Sequence, residues 1–337
     1  MTCNICVVGC GHWGKNLVRS FSALDALYGF YDSDEQRGTA IARAYPQSRR
    51  FGSYEAILSD AGVDAVAIST PAESHYELAE AALAAGKHVF VEKPLALEWQ
   101  DGANLVEAAR HHRRILMVGH LLHYHPGLRL LKQLIAEGAL GRIEYIYSNR
   151  LSMGKIRREE NALWSFAPHD ISVILALVGR MPLQVTATGG AYLQPNIADV
   201  TVSNLLFDRG TRAHIFVSWL HPYKEQRLVV IGSKQMAVFE DTRPDRKLML
   251  FNKQIELRNG SFEALKPEGV PVEFEAMEPL IAECRHFIDC FRCEREPLTP
   301  GEEGVRVLQV LQACQQSLQL NGEPVQVTEV RKKVMAV

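Results

Sequence analysis

Residues 88–97 read HVFVEKPLAL, four residues of strand character that run straight into Glu92, Lys93 and Pro94. An ammonium at the carboxyl end of a buried strand can hydrogen-bond a substrate hydroxyl, and partial burial lowers its pKa toward a useful value. Glu92 could anchor that lysine or meet the nicotinamide side of a cofactor. A surface salt bridge ahead of a turn proline would account for the same residues. A second candidate is His169, in APHDIS, because the unperturbed pKa of an imidazole lies near neutrality and suits acid–base work. The plainer alternative there is a helix-start histidine bonded to backbone.

Cofactor chemistry is suggested near the N-terminus. VVGCGHWGKN places Gly9, Gly11 and Gly14 in GxGxxG spacing, after a strand and at the opening of a helix, with His12 and Trp13 inside the loop. Such glycines allow a tight turn and let backbone N–H groups approach a pyrophosphate, which a helix N-terminus favours. Asp32 ends the second strand, 18 residues after Gly14. Its carboxylate suits ribose hydroxyls and repels a 2′-phosphate, so NAD is expected rather than NADP. ISTPAESHYE adds Ser69, Thr70, Pro71 and His75 at another strand end, where open α/β sheets bind ligands.

A third concentration of chemistry lies in SNRLSMGKIRREENALWSFAPHD (148–170), with Arg150, Lys155, Arg157 and Arg158 just ahead of His169. Arginine forks suit phosphate oxygens, so these residues, with Asn161 and Trp164, are expected to hold a phosphorylated substrate such as a nucleotide-diphosphate sugar. A solvated basic stretch offset by Glu159 and Glu160 is the alternative.

The elements that must position these groups follow from periodicity. Near-continuous apolar runs (ICVV, AVAIST, HVFVE, RILMVG) alternate with helical patterns, among them SHYELAEAALAAG, capped by Ser74 and stopped at Gly86. This pattern predicts a doubly wound parallel sheet over residues 1–119. From residue 120 to 337 the grammar changes. A helix over 126–137 and a long strand (RIEYIYSNRLS) lead to a helix from His169 to Val178. Six consecutive strand candidates without intervening helices come next, then two closing helices, near 278–292 and 302–319. This predicts an α+β domain with a large, mostly antiparallel open sheet. The whole chain is therefore of the α/β class.

Composition sets bounds. At 337 residues, 47% hydrophobic and 23% charged, the chain reads as about two globular domains. A net charge of -2 leaves no basic surplus for nucleic acid. No apolar run reaches membrane-span length, and MTCNICVVGCG has no basic stretch ahead of its strand, so no signal peptide is expected. Seven cysteines, with Cys290 and Cys293 in CxxC spacing but no second pair or histidine partner following at zinc-finger distance, predict packed reduced thiols rather than a metal site, and hence a cytoplasmic protein.

The glycine loop, TPAESH and above all EKPLAL resemble the glucose–fructose oxidoreductase/inositol dehydrogenase (Gfo/Idh/MocA) family of NAD(P)-dependent sugar dehydrogenases. The resemblance continues through GHLLHYHPGLRLLKQLIAEGALGRIEYI (119–146) and FAPHDISVILALVG (166–179), almost the whole chain. It implies that Lys93 contacts the reacting hydroxyl and that His169 is the acid/base. Many relatives carry an aspartate where this chain has Ser165, and an arginine where it has His123. Ser165 cannot supply a negative charge to raise the basicity of His169. NALWSFAPHDIS and GGAYLQPNIADV are similar to members in lipid A and surface-polysaccharide sugar pathways. That implies oxidation of the 3-hydroxyl of UDP-N-acetylglucosamine, or of its uronate, to a 3-keto sugar for a partner aminotransferase. It also implies a homo-dimer or homo-tetramer built on the second domain's sheet. A non-catalytic, NAD-sensing regulator is the alternative outside enzyme chemistry, and retained Lys93 and His169 argue against it.

Overall fold

The structure, a computed structural model, describes residues 3–154, 156–252, 254–265 and 267–327. Lys155 lies outside the described residues. The chain divides into two compact units. One runs to Tyr124 and takes in Met277–Leu308; the other holds His125–Ala276 and the residues from Gln309. A division at 119/120 does not anticipate the return of 277–308 to the first unit.

The first unit alternates β1 (Ile5–Val8), α1 (Gly14–Ala23), β2 (Leu27–Tyr31), α2 (Glu35–Ala44), β3 (Arg49–Arg50), α3 (Tyr54–Ser59), β4 (Ala65–Ile68), α4 (His75–Ala84), β5 (His88–Glu92), α5 (Trp99–His111) and β6 (Leu116–Gly119). All pairings are parallel, in the order β3-β2-β1-β4-β5-β6. The order reverses beside β1, so the loops after β1 and β4 part at a switch point, where such sheets hold ligands. β1, β4 and β6 are buried along their whole length. That is why their sequences show apolar runs rather than alternation.

Two local expectations meet different outcomes. Gly86 adopts φ 74°, and Lys87 N–H donates back to Ala82 O at 2.9 Å, so the glycine stop of α4 holds. Ser74 does occupy the N-cap position, but its hydroxyl makes no cap bond to the helix. It donates instead to Pro71 O (2.8 Å) and shares a hydrogen bond with the Thr70 hydroxyl (2.7 Å), fastening the loop that leads into α4.

The second unit holds α6 (Pro126–Ala136), β7 (Ile143–Leu151), α7 (Ala162–Val178), β8 (Gln184–Gly190), β9 (Val200–Leu206), β10 (Arg212–Ser218), β11 (Glu225–Gly232), β12 (Gln235–Glu240), β13 (Leu248–Asn252), a hairpin of β14 (Gln254–Arg258) and β15 (Ser261–Leu265), and β16 (Val270–Pro271). Two helices close the chain, α8 (Pro279–Arg292) and α9 (Gly301–Gln319), followed by β17 (Val325–Gln326). The nine-stranded sheet runs β16-β13-β12-β11-β7-β10-β9-β8-β17. Only β7 and β10 pair in parallel, so the mostly antiparallel expectation stands.

α7 corrects the reading of its start. It begins at Ala162 rather than near His169 and runs through Pro168. Asn161 caps it, Oδ1 accepting from Trp164 N–H at 3.1 Å. Proline removes one helix hydrogen bond, but twelve residues from Ala162 to Leu177 are buried, and that packing outweighs the lost bond. All seven cysteines are free thiols, six of them buried and Cys293 exposed. Among the described residues no helix is long and apolar enough to cross a membrane.

Candidate active site

In the first unit the sequence folds the glycine loop against the end of β4. Gly9 adopts φ 83°, and a Cβ there would sit 2.9 Å from Thr70 N. A Cβ on Gly14 would meet Gly9 O at 1.8 Å, so only glycine lets α1 start so close under the loop. The Ser69 hydroxyl donates to Gly9 O at 2.6 Å and locks the two loops together. Gly11 differs, because a Cβ there would touch only Arg37 Nη1, at 3.8 Å. Its space is open on the side where a pyrophosphate would come against backbone N–H groups.

Asp32 stands at the end of β2 with a side chain only 3% exposed. Its Oδ2 accepts from Cys10 N–H at 2.6 Å and its Oδ1 from Asp34 N–H at 2.8 Å. The carboxylate therefore also fastens the glycine loop, leaving further lone pairs for ribose hydroxyls. Arg37 lies 3.9 Å from Asp32 and 3.3 Å from Asp34, already paired with two carboxylates rather than poised for a 2′-phosphate. These residues fit NAD.

Lys93 follows Glu92 at the carboxyl end of β5. Glu92 is 8% exposed. Its Oε1 accepts the indole N–H of Trp13, from the glycine loop, and its Oε2 accepts Lys93 N–H at 3.3 Å. Its cross-strand partner is Gly119, where a Cβ would lie 2.9 Å from Oε2. Burial raises the Glu92 carboxyl to about 7, against the opposing pull of the Trp13 N–H and the Lys93 ammonium. Close by, His120 Nδ1 and Glu303 form a buried pair. His12 is exposed on the loop.

His75 was expected at the cofactor, but the structure gives it another task. It is 1% exposed, and its Nδ1 and Nε2 face Pro94 O at 2.7 Å and Thr70 O at 2.9 Å. It ties the loop after β4 to the segment after Lys93. Burial lowers its pKa, and the two carbonyls oppose that shift.

The second unit carries His169, half-buried in the interior of α7. Its neighbour Asp170 is buried and fully engaged: Oδ2 accepts Arg150 Nε–H at 2.8 Å, and Oδ1 accepts Arg150 Nη2 at 3.1 Å and the Ser148 hydroxyl at 2.6 Å. Arg150 is therefore occupied within the protein, because its fork matches a carboxylate two-pronged. Asn161 Nδ2 and Trp164 Nε1 both donate to Gln315 Oε1, at 2.8 and 3.1 Å. They fix the start of α7 rather than standing ready for substrate. Arg157 pairs with Glu160 at 2.9 Å, and Arg158 is exposed. The expectation of a phosphate-binding basic cluster thus loses Arg150 and Arg157 to internal pairs. Ser165 is 6% exposed. Asp170 and Gln315 were missed in the sequence, although an acid directly after His169 was a visible signal.

A dinucleotide loop with its ribose acid, and a lysine at the neighbouring strand end, define an NAD-binding oxidoreductase. The Gfo/Idh/MocA oxidoreductase family, NAD-binding Rossmann fold, matches residues 3–120, and that family's C-terminal domain matches residues 128–238. The chain belongs to this family. It is 29% identical over 306 residues to a UDP-N-acetylglucosamine 3-dehydrogenase of Acidithiobacillus ferrooxidans, covering 90% of this chain and 93% of that one. The crystal structure of that enzyme superposes with a TM-score of 0.85 at 25% identity, over 95% of this chain and 99% of the other. An inositol 2-dehydrogenase of Rhizobium meliloti is 30% identical over 257 residues, 72% of this chain and 77% of its own.

Proposed function

We propose that the protein is an NAD-dependent dehydrogenase that oxidises the 3-hydroxyl of UDP-N-acetylglucosamine. The observation that carries this reading is the similarity, over nine-tenths of both chains, to the A. ferrooxidans enzyme of that name. In this reading His169 takes the hydroxyl proton and the Lys93 ammonium steadies the developing alkoxide. NAD, held by the glycine loop and Asp32, would supply the hydride acceptor for the sugar carbon. The glycine loop and Asp32 hold the dinucleotide, with Ser69, Thr70 and Pro71 at its edge and Trp13 and Glu92 beside Lys93.

The pairing of Arg150 with Asp170 and of Arg157 with Glu160 favours the uncharged acetamido sugar over its uronate. A uronate carboxylate would need a further dedicated cation. Arg158 remains as the exposed candidate for the diphosphate. The 3-keto product suits a PLP-dependent aminotransferase of amino-sugar biosynthesis, and dependence on NAD and a nucleotide sugar favours a cytoplasmic reaction. The apolar sheet face of the second unit supports a homo-dimer or homo-tetramer.

The test is a panel of UDP-sugars with NAD, followed by NADH absorbance, with a 3-keto-sugar aminotransferase and glutamate to draw off product. UDP-N-acetylglucosamine should give the strongest signal. A response to UDP-glucuronates alone would replace this substrate with the uronate, and binding of NAD with no turnover of any sugar would favour the regulator.

A further inference from the structure

Strand β5 and helix α8 meet in a regular ladder. Strand side chains two apart share a face, and helix side chains four apart share one. His88 stacks on Phe291, with ring centroids 5.0 Å apart. Two residues on along the strand and four back along the helix, Phe90 meets Phe287 edge-on at 5.7 Å. The next step of the same antiparallel register brings Glu92 opposite Glu283. The third rung therefore sets two carboxyls where the first two set rings.

Glu283 is wholly buried, 0% exposed, and among the described residues neither of its oxygens has a hydrogen-bond donor. A carboxylate taken out of water without a donor is strongly disfavoured, whereas the protonated acid is neutral and carries an O–H that needs an acceptor. Glu92, the carboxyl facing it across the rung, can supply that acceptor. Its carboxyl takes N–H groups from Trp13 and Lys93 and keeps further lone pairs.

We propose that Glu283 is a positioning residue that shares one proton with Glu92, so that the pair presents a single negative charge behind Lys93. One charge is enough to favour the ammonium form of Lys93, and a second would have no donor to hold it. Burial, with the charge of Glu92 added, pushes Glu283 well above the carboxylate range. The pair titrates as a unit, in separated steps.

The other titratable groups facing this rung come from each neighbouring element. Lys93 ends the strand. His120 follows β6 and is held by Glu303 of α9, with His123 3.8 Å from the same carboxylate. Tyr124 and, on α8 itself, Cys284 are both pushed up by burial and stay neutral. Arg19 of α1 is taken by Glu278.

Infrared spectroscopy of the cofactor-free protein tests the shared proton directly. At mildly alkaline pH the wild type should show the carbonyl band of a protonated carboxylic acid, and Glu283→Gln should lose it. Absence of the band in the wild type, or its survival in Glu283→Gln, overturns the proposal. The second arm compares pH profiles of kcat/KM and rests on the oxidoreductase reading above, whereas the infrared arm does not. Glu283→Met removes the donor to Glu92 and should move the acid limb upward by about one pH unit, about a tenfold loss on that limb. Glu283→Gln retains an N–H donor and should restore most of the wild-type limb. Superimposable profiles for wild type and Glu283→Met would overturn the coupling even where the band is present.

Discussion

Lys93 owes its setting to a strand that should carry no charge at its end, and two substitutions there separate chemistry from folding. Lys93→Met keeps the stem and removes the ammonium. Turnover should fall by at least about 10²-fold, the range for a positioned acid–base or electrostatic group. NAD binding, read by calorimetry, should stay within about threefold of wild type, since a single lost side-chain contact to the cofactor is worth little. Normal turnover in this variant would refute the role. Glu92 gives a stability test. Its carboxyl is raised from an ordinary 4.5 to about 7, so between those values the folded state binds the extra proton. Stability contributed by that proton is present below 4.5 and is lost as pH rises toward 7. The melting temperature of wild type should therefore fall relative to Glu92→Gln across that window, and parallel curves would show that the carboxyl is not perturbed. EKP was legible because a charged triplet at the mouth of an apolar strand is a local signal. Glu283 was not, because an acid on a helix means nothing until the register against β5 is known.

At the scale of elements, the glycine loop and α7 divide what sequence can show from what it cannot. The three glycines look alike in the GxGxxG string, yet the structure gives them different reasons. Gly14 is required by the carbonyl of Gly9, which a Cβ would reach at 1.8 Å, whereas Gly11 faces open space. Gly11→Ala should therefore fold with a melting temperature within about 2 °C of wild type, since surface changes stay within about 0.5 kcal/mol. Its affinity for NAD should drop about tenfold or more as the methyl group meets the pyrophosphate. Differential scanning fluorimetry with and without NAD reads both outcomes, and an unchanged shift on adding NAD would place the pyrophosphate elsewhere. α7 was misread because Pro168 is a strong local stop signal, and the buried stripe that overrides it becomes visible only in the packed unit. Arg150 was misread for a related reason. Its partner Asp170 lies 20 residues on, and only the pairing of β7 with α7 brings them together. Arg150→Ala should leave a buried carboxylate unpaired and cost about 3–5 kcal/mol by chemical denaturation. Had Arg150 served substrate phosphate instead, the variant would keep its stability and lose only KM.

At the scale of the whole molecule, the nine-stranded sheet has two unlike faces. Helices α6 and α7 cover the face that carries Ile146, Ala213, Ile215, Val217, Ala237 and Phe239, all buried. The register places Tyr147, Phe216, Val238 and Met249 on the other face, half-buried. On that face Tyr147 also stacks on His214, with centroids 5.3 Å apart and planes 5° from parallel. Val229, Val238 and Met249 continue from Tyr147 as an apolar row across adjacent strands, bordered by Asn149 and Arg227, and contiguous apolar side chains of that kind mark interfaces. The alternation that defines the face was readable in each strand, but the order of the strands was not, so the sequence could announce a surface without its extent. A second copy presenting the same face would bury it through a two-fold, self-complementary contact. The double substitution Tyr147→Asp with Val238→Asp sets charges into the middle of that face, outside both the glycine loop and the surroundings of His169. Light scattering on a sizing column should give a dimer or tetramer for wild type and a monomer for the variant. NAD binding should persist in the variant, because the glycine loop and Asp32 belong wholly to the first unit. A wild type that runs as a monomer at micromolar concentration would leave the apolar face to some other partner.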